Sequence, residues 1–334
     1  MKIQENIELQ PYNSFRTKAK ARYFIQLQTI QDLTEALRMH TDTKKLIIGN
    51  GCNIFFTKDF DGLVIKPDLH GFETVDETEQ YIDIEAQAGE DWDNFVEYAV
   101  ASNYAGIETM SLIPSSVGAA PIQNIGAYGT ELKDVCLRVQ AIDLETLEAS
   151  AFTNEMCQFA YRNSIFKQTQ RYIITSVVFR LKKSFSYKEK YVDLSNELRD
   201  IPNPTLQQVR DAVIRIRTRK LPDYKTLPNA GSFFKNPIIS HLQKEQLLTV
   251  LPDAPLYPVA KGEQLFKTSA AYLIDSAGWK GRRVGNVGTY ERQPLIIVNY
   301  GTENGQEIVD FMRKIQTDVH DKFNITLEPE VWIF

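Results

Sequence analysis

An α+β fold is what this sequence predicts, and three observations carry that reading. Strand-forming runs come in neighbouring pairs, as in Val135–Asp143 with Tyr172–Leu181, instead of alternating singly with helices. The helical segments carry their own capping residues and apolar stripes. The glycine turn that follows a strand, Gly49-Asn-Gly51, lacks the third glycine of a dinucleotide-binding turn. Ile54 stands in that place, and Ile-Phe-Phe continues as a strand instead of opening a helix. No internal repeat or low-complexity tract breaks the pattern.

In chain order, Tyr23–Leu27 reads as a strand and Thr29–Met39 as an amphipathic helix, with Thr29 as its cap and Asp32 at the capping-box position. Leu46–Ile48 is a strand running into the glycine turn, followed by strands at Ile54–Phe56 and Leu63–Lys66. The turn suits either a tight hairpin or a phosphate cradle, since its amides can face an anion unobstructed. From Tyr81 the order is strand, a helix over Trp92–Ser102, a long loop, and the paired strands already named. Thr205–Thr218 opens on a Thr-x-x-Gln box and ends in the basic patch Arg215, Arg217, Arg219, Lys220. Beyond Leu221-Pro222 come a Gly/Pro-rich loop (Leu227–Pro237), helices near Gln243–Val250 and Ser269–Ser276, and a strand at Leu295–Asn299. A long helix over Gly305–Phe323 and a closing strand over Leu327–Phe334 complete the chain.

The loop between these elements, LIPSSVGAAPIQNIGAYG over Leu112–Gly129, is the most informative stretch. It holds glycines at 118, 126 and 129, prolines at 114 and 121, and no charged residue. Gly and Pro are costly inside helices and strands, whereas a surface linker would be more polar. The expectation is a loop whose backbone approaches something large, flat and partly apolar, namely a flavin.

Composition narrows the chemistry. The 334 residues suffice for two or three domains, with a net charge of −5 that excludes a domain-wide nucleic-acid surface. Cys52, Cys136 and Cys157 share no CxxC spacing, and His40, His70, His241 and His320 are scattered, so neither a disulfide framework nor a metal site is expected. No apolar run reaches membrane-spanning length, and MKIQENIELQ lacks a secretory apolar core, so a cytoplasmic protein is expected. The sequon Asn324-Ile-Thr carries no meaning without export. Gly262-Glu-Gln-Leu-Phe-Lys267-Thr268 misses the second glycine of a phosphate loop and has no strand leading in, which discounts a nucleotide triphosphatase.

Three segments could carry side-chain chemistry. In Asn229-Ala-Gly-Ser-Phe-Phe-Lys-Asn-Pro237 a small hydroxyl sits at a bend beside two aromatics. It reads either as a turn burying its phenylalanines or as a proton donor held over a bound ring. Arg162, in Tyr161-Arg-Asn-Ser164, would pair with a structural carboxylate or stabilise negative charge on a substrate. Glu328-Pro-Glu330 would point two acids the same way if extended, with one of them buried.

Taken together, PIQNIGAYG, YRxSxFK, NAGSFFKNP and LEPEV, with Asn13-Ser-Phe-Arg-Thr17 and the Gly49–Asn53 turn, resemble the UDP-N-acetylenolpyruvoylglucosamine reductase family over nearly the whole chain. Lys190-Tyr191-Val-Asp-Leu and Pro255-Leu-Tyr257-Pro resemble its longer first subtype. The resemblance implies an FAD-binding fold of the vanillyl-alcohol-oxidase (PCMH-like) type in two subdomains, 1–70 (joined by 325–334) and 71–219, plus a C-terminal α+β substrate-binding domain over 220–324.

It also implies non-covalent FAD reduced by NADPH, then hydride delivery to C3 of the enolpyruvyl group of a UDP-sugar and proton transfer to C2. Ser232 would donate that proton, while Arg162 and Glu330 would stabilise the enolate, the glutamate as a protonated donor or as the arginine's orienting partner. Asn50, Gly51, Cys52, Asn53, Ser115, Ser116, Gly118, Gln123, Asn124, Gly126, Ala127 and Gly129 would line FAD. Tyr191, Lys220, Asn236, Tyr257, Lys280 and Gln293 would contact the sugar nucleotide, and the enzyme would act as a monomer. Three positions depart from the family: Cys52 replaces a serine, Ser115 a glycine and Trp332 an arginine. Two other readings stay open, a flavin oxidase of the same cofactor fold and an inactive sugar-nucleotide-binding relative.

Overall fold

In the computed structural model, which describes residues 3–187, 191–259 and 264–334, the chain divides into two units. The first comprises Met1–Ile7, Ala21–Asn50 and Asp61–Arg219, the second Glu8–Lys20, Gly51–Phe60 and Lys220–Phe334. Lys190 and Gly262, each part of a segment singled out above, lie outside the described residues.

Two sheets build the first unit. A four-stranded sheet runs in the order Gln4–Glu8, Lys20–Leu27, Phe60–Pro67, Lys45–Ile47, the last pair parallel. The helix Ile30–Met39 packs Leu33, Ala36 and Leu37 against Ile25, Leu27, Leu63 and Ile65 of that sheet. Its cap is the expected one: the Thr29 hydroxyl accepts from the Asp32 amide at 3.2 Å. The second sheet is antiparallel throughout, in the order Ala149–Thr153, Cys136–Asp143, Tyr172–Lys182, Tyr81–Gln87, Phe72–Glu77.

Val139, Val177 and Phe179 from this sheet meet Trp92, Phe95, Val96 and Ala99 of the helix Trp92–Ala101 in the largest core. Each such side chain contributes roughly 1.5–3 kcal/mol on burial. The helix Leu206–Lys220 carries the predicted capping box in full, with Gln208 N–H on the Thr205 hydroxyl at 3.2 Å and Thr205 N–H on the Gln208 side chain at 2.9 Å.

In the second unit, a sheet ordered Asn229–Ser232, Ile296–Asn299, Val287–Thr289, Arg283–Val284 packs on the helix Gly305–Phe323. Ile308, Phe311, Met312, Ile315, Val319 and Phe323 recur at helical spacing and are buried. Gly305 must be glycine, because a Cβ there would fall 2.0 Å from the Phe56 carbonyl oxygen. A smaller sheet places Leu265–Thr268 between Ile238–Ser240 and Leu256–Pro258.

Two expectations need correction. The closing strand is only Trp332–Ile333, parallel to Ile54–Phe55, because Pro329 cannot donate to a ladder and interrupts the run from Leu327. Nor is the Gly49–Asn53 turn a hairpin: Lys45–Ile47 pairs with Phe60–Pro67, whereas Ile54–Phe55 pairs with Trp332–Ile333.

Candidate active site

The uncharged loop is shaped mainly by its own chain. Asp91 caps the helix Trp92–Ala101, accepting from the Asp93 and Asn94 amides, and the segment around Ser116 bridges to it. Val117–Gln123 then forms a turn of 3₁₀ helix with Pro121 inside, a form the composition did not suggest. Gly126–Ala127 and Thr130–Glu131 make a small hairpin whose two turn residues, Tyr128 and Gly129, have φ of 48° and 81°. Positive φ at both central positions is what a type I′ turn requires.

Two of the glycines expected to line the cofactor, Gly118 and Gly126, are packed tightly on the side a Cβ would occupy. A Cβ at Gly118 would lie 2.6 Å from the Ala88 Cβ, and one at Gly126 would lie 2.5 Å from the Thr130 carbonyl oxygen. One at Gly49 would lie 2.7 Å from the Ser116 hydroxyl, so the first glycine turn presses directly on the loop. Asn124 is fully buried at φ 47°, with its amide on Glu131 and the Ala160 carbonyl and its oxygen on the Lys133 N–H. Its side chain ties the loop to Glu131, Lys133 and Ala160. Asn50, by contrast, reaches from the turn to the Ser115 carbonyl at 2.9 Å and Asp91 at 3.3 Å. Ser115 and Ser116 are buried, while Gln123, Ala127 and Gly129 are half-buried or exposed.

Arg162 lies beside this loop. Its residue is the second of a two-residue turn closed by Ala160 and Asn163, and it has φ 52°. Glycine is the usual occupant of such a position, and a left-handed conformation costs a β-carbon residue about 1–2 kcal/mol. The guanidinium lies over the Tyr161 ring at 5.5 Å and donates to the Gly126 carbonyl at 3.5 Å. Lys167 steadies the turn by donating to the Arg162 carbonyl at 3.0 Å, and Ser164 donates to Ile122 at 2.7 Å. Tyr191, half exposed, meets Tyr128 edge to face with centroids 5.9 Å apart.

Sequence reasoning missed Asp93, which ties the loop's start. Its carboxylate takes the Leu112 amide at 2.5 Å and both guanidinium nitrogens of the buried Arg210, at 2.7 and 3.0 Å. Burial pushes this carboxyl up, but the Arg210 bonds, the Leu112 amide and the charges of Arg210 and Arg217 outweigh it, leaving it below the usual range. No local motif signals it, because its partner lies 117 residues away.

In the second unit, Ser232 and Glu330 are carried by adjacent segments. Asn229 braces the bend, its oxygen accepting from Gly231 N–H at 2.9 Å and its amide donating to the Leu227 carbonyl at 2.8 Å. Gly231 has φ 70°, and Ser232 beyond it is exposed, with no side-chain hydrogen bond among the described residues. Phe233 and Phe234 are buried with Phe15 and Phe55, as the reading of a turn that buries its phenylalanines has it.

Glu330 runs alongside: its N–H donates to the Phe233 carbonyl at 2.8 Å, and Phe234 bridges to Pro329. Glu328 and Glu330 do not share a face. Glu328 is exposed and pairs with Lys235 at 3.1 Å, whereas Glu330 is only 9% exposed, since Pro329 upsets the two-residue alternation. Asn53 donates to the Glu330 carbonyl at 3.2 Å. Gly51, at φ 70°, presses so closely on Tyr12 that a Cβ would lie 2.0 Å from its carbonyl oxygen, and Cys52 is buried beside it in sequence. Trp332 lies on the closing strand, stacked on Phe334.

The remaining second-unit candidates fall into separate places. Asn236 accepts from the Ala270 N–H at 3.0 Å, and Tyr257 is exposed on the edge strand Leu256–Pro258. Lys280 reaches Asp275 at 3.3 Å, while the Gln293 oxygen accepts from Leu295 N–H at 3.4 Å. Lys220 is half-buried at the unit's start. Among the described residues no group of His, Cys, Asp and Glu could hold a metal ion, and no helix is long and apolar enough to cross a membrane.

Comparison with known proteins adds the following. Residues 222–334 match the family model for the C-terminal domain of UDP-N-acetylenolpyruvoylglucosamine reductase, and residues 21–146 match one for an FAD binding domain. The chain is 44% identical to the UDP-N-acetylenolpyruvoylglucosamine reductase of Flavobacterium johnsoniae, covering 99% of both chains. It is 42% identical to the protein of that name from Bdellovibrio bacteriovorus, again with 99% of both covered. Its fold is shared with the UDP-N-acetylenolpyruvylglucosamine reductase of Thermus caldophilus, at TM-score 0.68 and 22% identity over 100% of this chain and 99% of that one.

Proposed function

The chain belongs to the UDP-N-acetylenolpyruvoylglucosamine reductase family, and from that premise we propose that NADPH is its reductant, Ser232 its proton donor, and Arg162 and Glu330 its charge-stabilising pair. It is an FAD-containing oxidoreductase of peptidoglycan synthesis that reduces UDP-N-acetylenolpyruvoylglucosamine.

The residues suit the cofactor. Asn50, Ser115, Ser116 and Gln123 offer amides and hydroxyls around a loop without charge. These would hold FAD, which supplies hydride transfer when bound. The single observation that carries the assignment of roles is the hydrogen bond from Glu330 N–H to the Phe233 carbonyl at 2.8 Å. It sets a buried carboxyl-bearing residue next to an exposed hydroxyl whose bend is braced by Asn229.

Once hydride has reached C3 of the enolpyruvyl group, negative charge develops on the substrate's carboxyl and at C2. Arg162, held in a strained turn, offers its fork to that carboxylate, and Glu330 orients the charge or donates to it. Ser232 gives its hydroxyl proton to C2. A serine is a weak acid, but a carbanion is a strong base, so placement outweighs acidity here. Tyr191, Lys220, Asn236, Tyr257, Lys280 and Gln293 are proposed to hold the sugar nucleotide. The working protein is proposed to be a cytoplasmic monomer.

The test is the visible spectrum of the purified protein followed by NADPH consumption with and without the enolpyruvyl sugar nucleotide. A flavin spectrum with consumption that depends on the sugar supports the reading. Rapid consumption in air without the sugar points to an oxidase, and a colourless protein that takes up no FAD points to a binding relative.

A further inference from the structure

The roles above leave unused a cavity of about 280 Å³ in the first unit, at one end of the five-stranded antiparallel sheet. Tyr81 begins one strand there, Arg180 and Lys182 close its neighbour, and Asp134–Leu137 leads into a third. Backbone bonds fix these walls. Arg180 N–H donates to the Val135 carbonyl at 2.8 Å, and Ala105 and Lys182 exchange amide bonds at 2.8 and 2.9 Å. Between the strand ends the lining is apolar, from Ala105, Val135 and Leu137. The volume lies just under the roughly 300–1,000 Å³ of sites for drug-sized ligands, so an occupant must be small.

Three charged side chains border this cavity, and one is already matched. The Nε and Nη2 of Arg180 donate to the two oxygens of Asp83, at 2.8 and 2.7 Å. Lys182 is exposed, and among the described residues no carboxylate pairs with its ammonium. Asp134 is exposed too. One of its oxygens accepts the Glu131 N–H at 2.8 Å, and among the described residues no cation pairs with it. Either charge alone would be an ordinary solvated group. What sets them apart is that opposite charges from separate segments border one apolar-walled recess without closing an ion pair across it.

We propose that this cavity binds a small α-amino acid, its carboxylate on Lys182, its ammonium on the second oxygen of Asp134, and its apolar side chain against Ala105, Val135 and Leu137. A zwitterion answers both charges at once. A simple anion would be set against Asp134, and a simple cation against Lys182. Binding there would bear on the uncharged loop. Glu131, whose N–H Asp134 holds, takes the Asn124 amide at 3.0 Å, and Lys133 N–H reaches the Asn124 oxygen at 3.0 Å. The site itself does not depend on what that loop holds.

Isothermal titration of the FAD-loaded protein with L-leucine, D-leucine, isocaproate and isopentylamine tests this, the last two each lacking one charge. At least one leucine enantiomer should bind with a Kd below about 1 mM, and both single-charge analogues about ten- to hundredfold more weakly. Lys182→Met and Asp134→Asn should each weaken leucine by a similar factor, the asparagine still offering an oxygen to the Glu131 N–H. Leu137→Trp, which fills the cavity from its wall, should abolish binding. No saturable binding of either enantiomer up to about 10 mM overturns the proposal. So does equal binding of isocaproate, which would make the recess a plain anion site. Leucine binding unchanged in both Lys182→Met and Asp134→Asn would place it elsewhere and overturn the proposal equally. Should Leu137→Trp not fold, the two charge variants decide alone.

Discussion

The amide of Glu330 donates to the carbonyl of Phe233 at 2.8 Å, and this bond fixes the register between the segment of the acid and the segment of Ser232. The hydroxyl and the carboxyl thus belong to one piece of structure, with Asn229 and Asn53 bracing either side. Replacing Ser232 with alanine should leave that frame intact. In stopped-flow measurements, flavin bleaching by NADPH should stay within about twofold of wild type. Return of colour on adding the enolpyruvyl sugar nucleotide should slow by roughly 10²–10⁴. Equal slowing of both phases would remove Ser232 from its role.

Arg162 sits at φ 52°, where glycine is at ease and arginine is not. Arg162→Gly should therefore keep or raise the thermal midpoint, because relief of about 1–2 kcal/mol of strain opposes the lost contact with Tyr161. Turnover should fall by about 10²–10³. A variant that loses stability and activity in parallel would make the turn a structural device only.

Gly51→Ala tests the opposite kind of position. Its Cβ would meet the Tyr12 carbonyl oxygen at 2.0 Å in a backbone of φ 70°, and neither chain has a flexible end to move. A loss of at least about 2 kcal/mol is expected in urea unfolding, from left-handed strain and overpacking together. Wild-type stability would show that the turn relaxes freely.

Asp93 sets an acid limit. Its folded carboxyl lies below the unfolded value of about 3.9, so its stabilisation is present above that pH and is lost as pH falls through the folded value. Unfolding midpoints of wild type and Asp93→Asn should differ most near neutrality and converge below about pH 4. A difference that stays constant down to pH 3 would mean that the charge on Asp93 contributes nothing.

Local chemistry was the legible part of the fold. The Thr29 cap, the Thr205–Gln208 box and the stripe on Gly305–Phe323 each depend on residues within a few positions of one another, and each is found where the pattern puts it. Edge strands such as Phe72–Glu77 and Ala149–Thr153 were not legible, because their mostly exposed side chains give no apolar alternation. At the site, motifs singled out segments but not what each residue does within them. Asn124 and Gly118 serve the loop's own packing, and that becomes visible only when Ala88, Glu131 and Ala160 are brought beside them. Asp93 was hidden for the same reason, its meaning being set by a partner far off in sequence.

Gly118 against Ala88 has one more implication. A loop clamped by its own sheet needs no guest to give it form, so the empty protein should already wear the shape it shows when loaded. Uptake of FAD would then meet little ordering entropy in that stretch. Hydrogen exchange at Val117–Gln123 should be nearly as slow in flavin-stripped protein as in the yellow one.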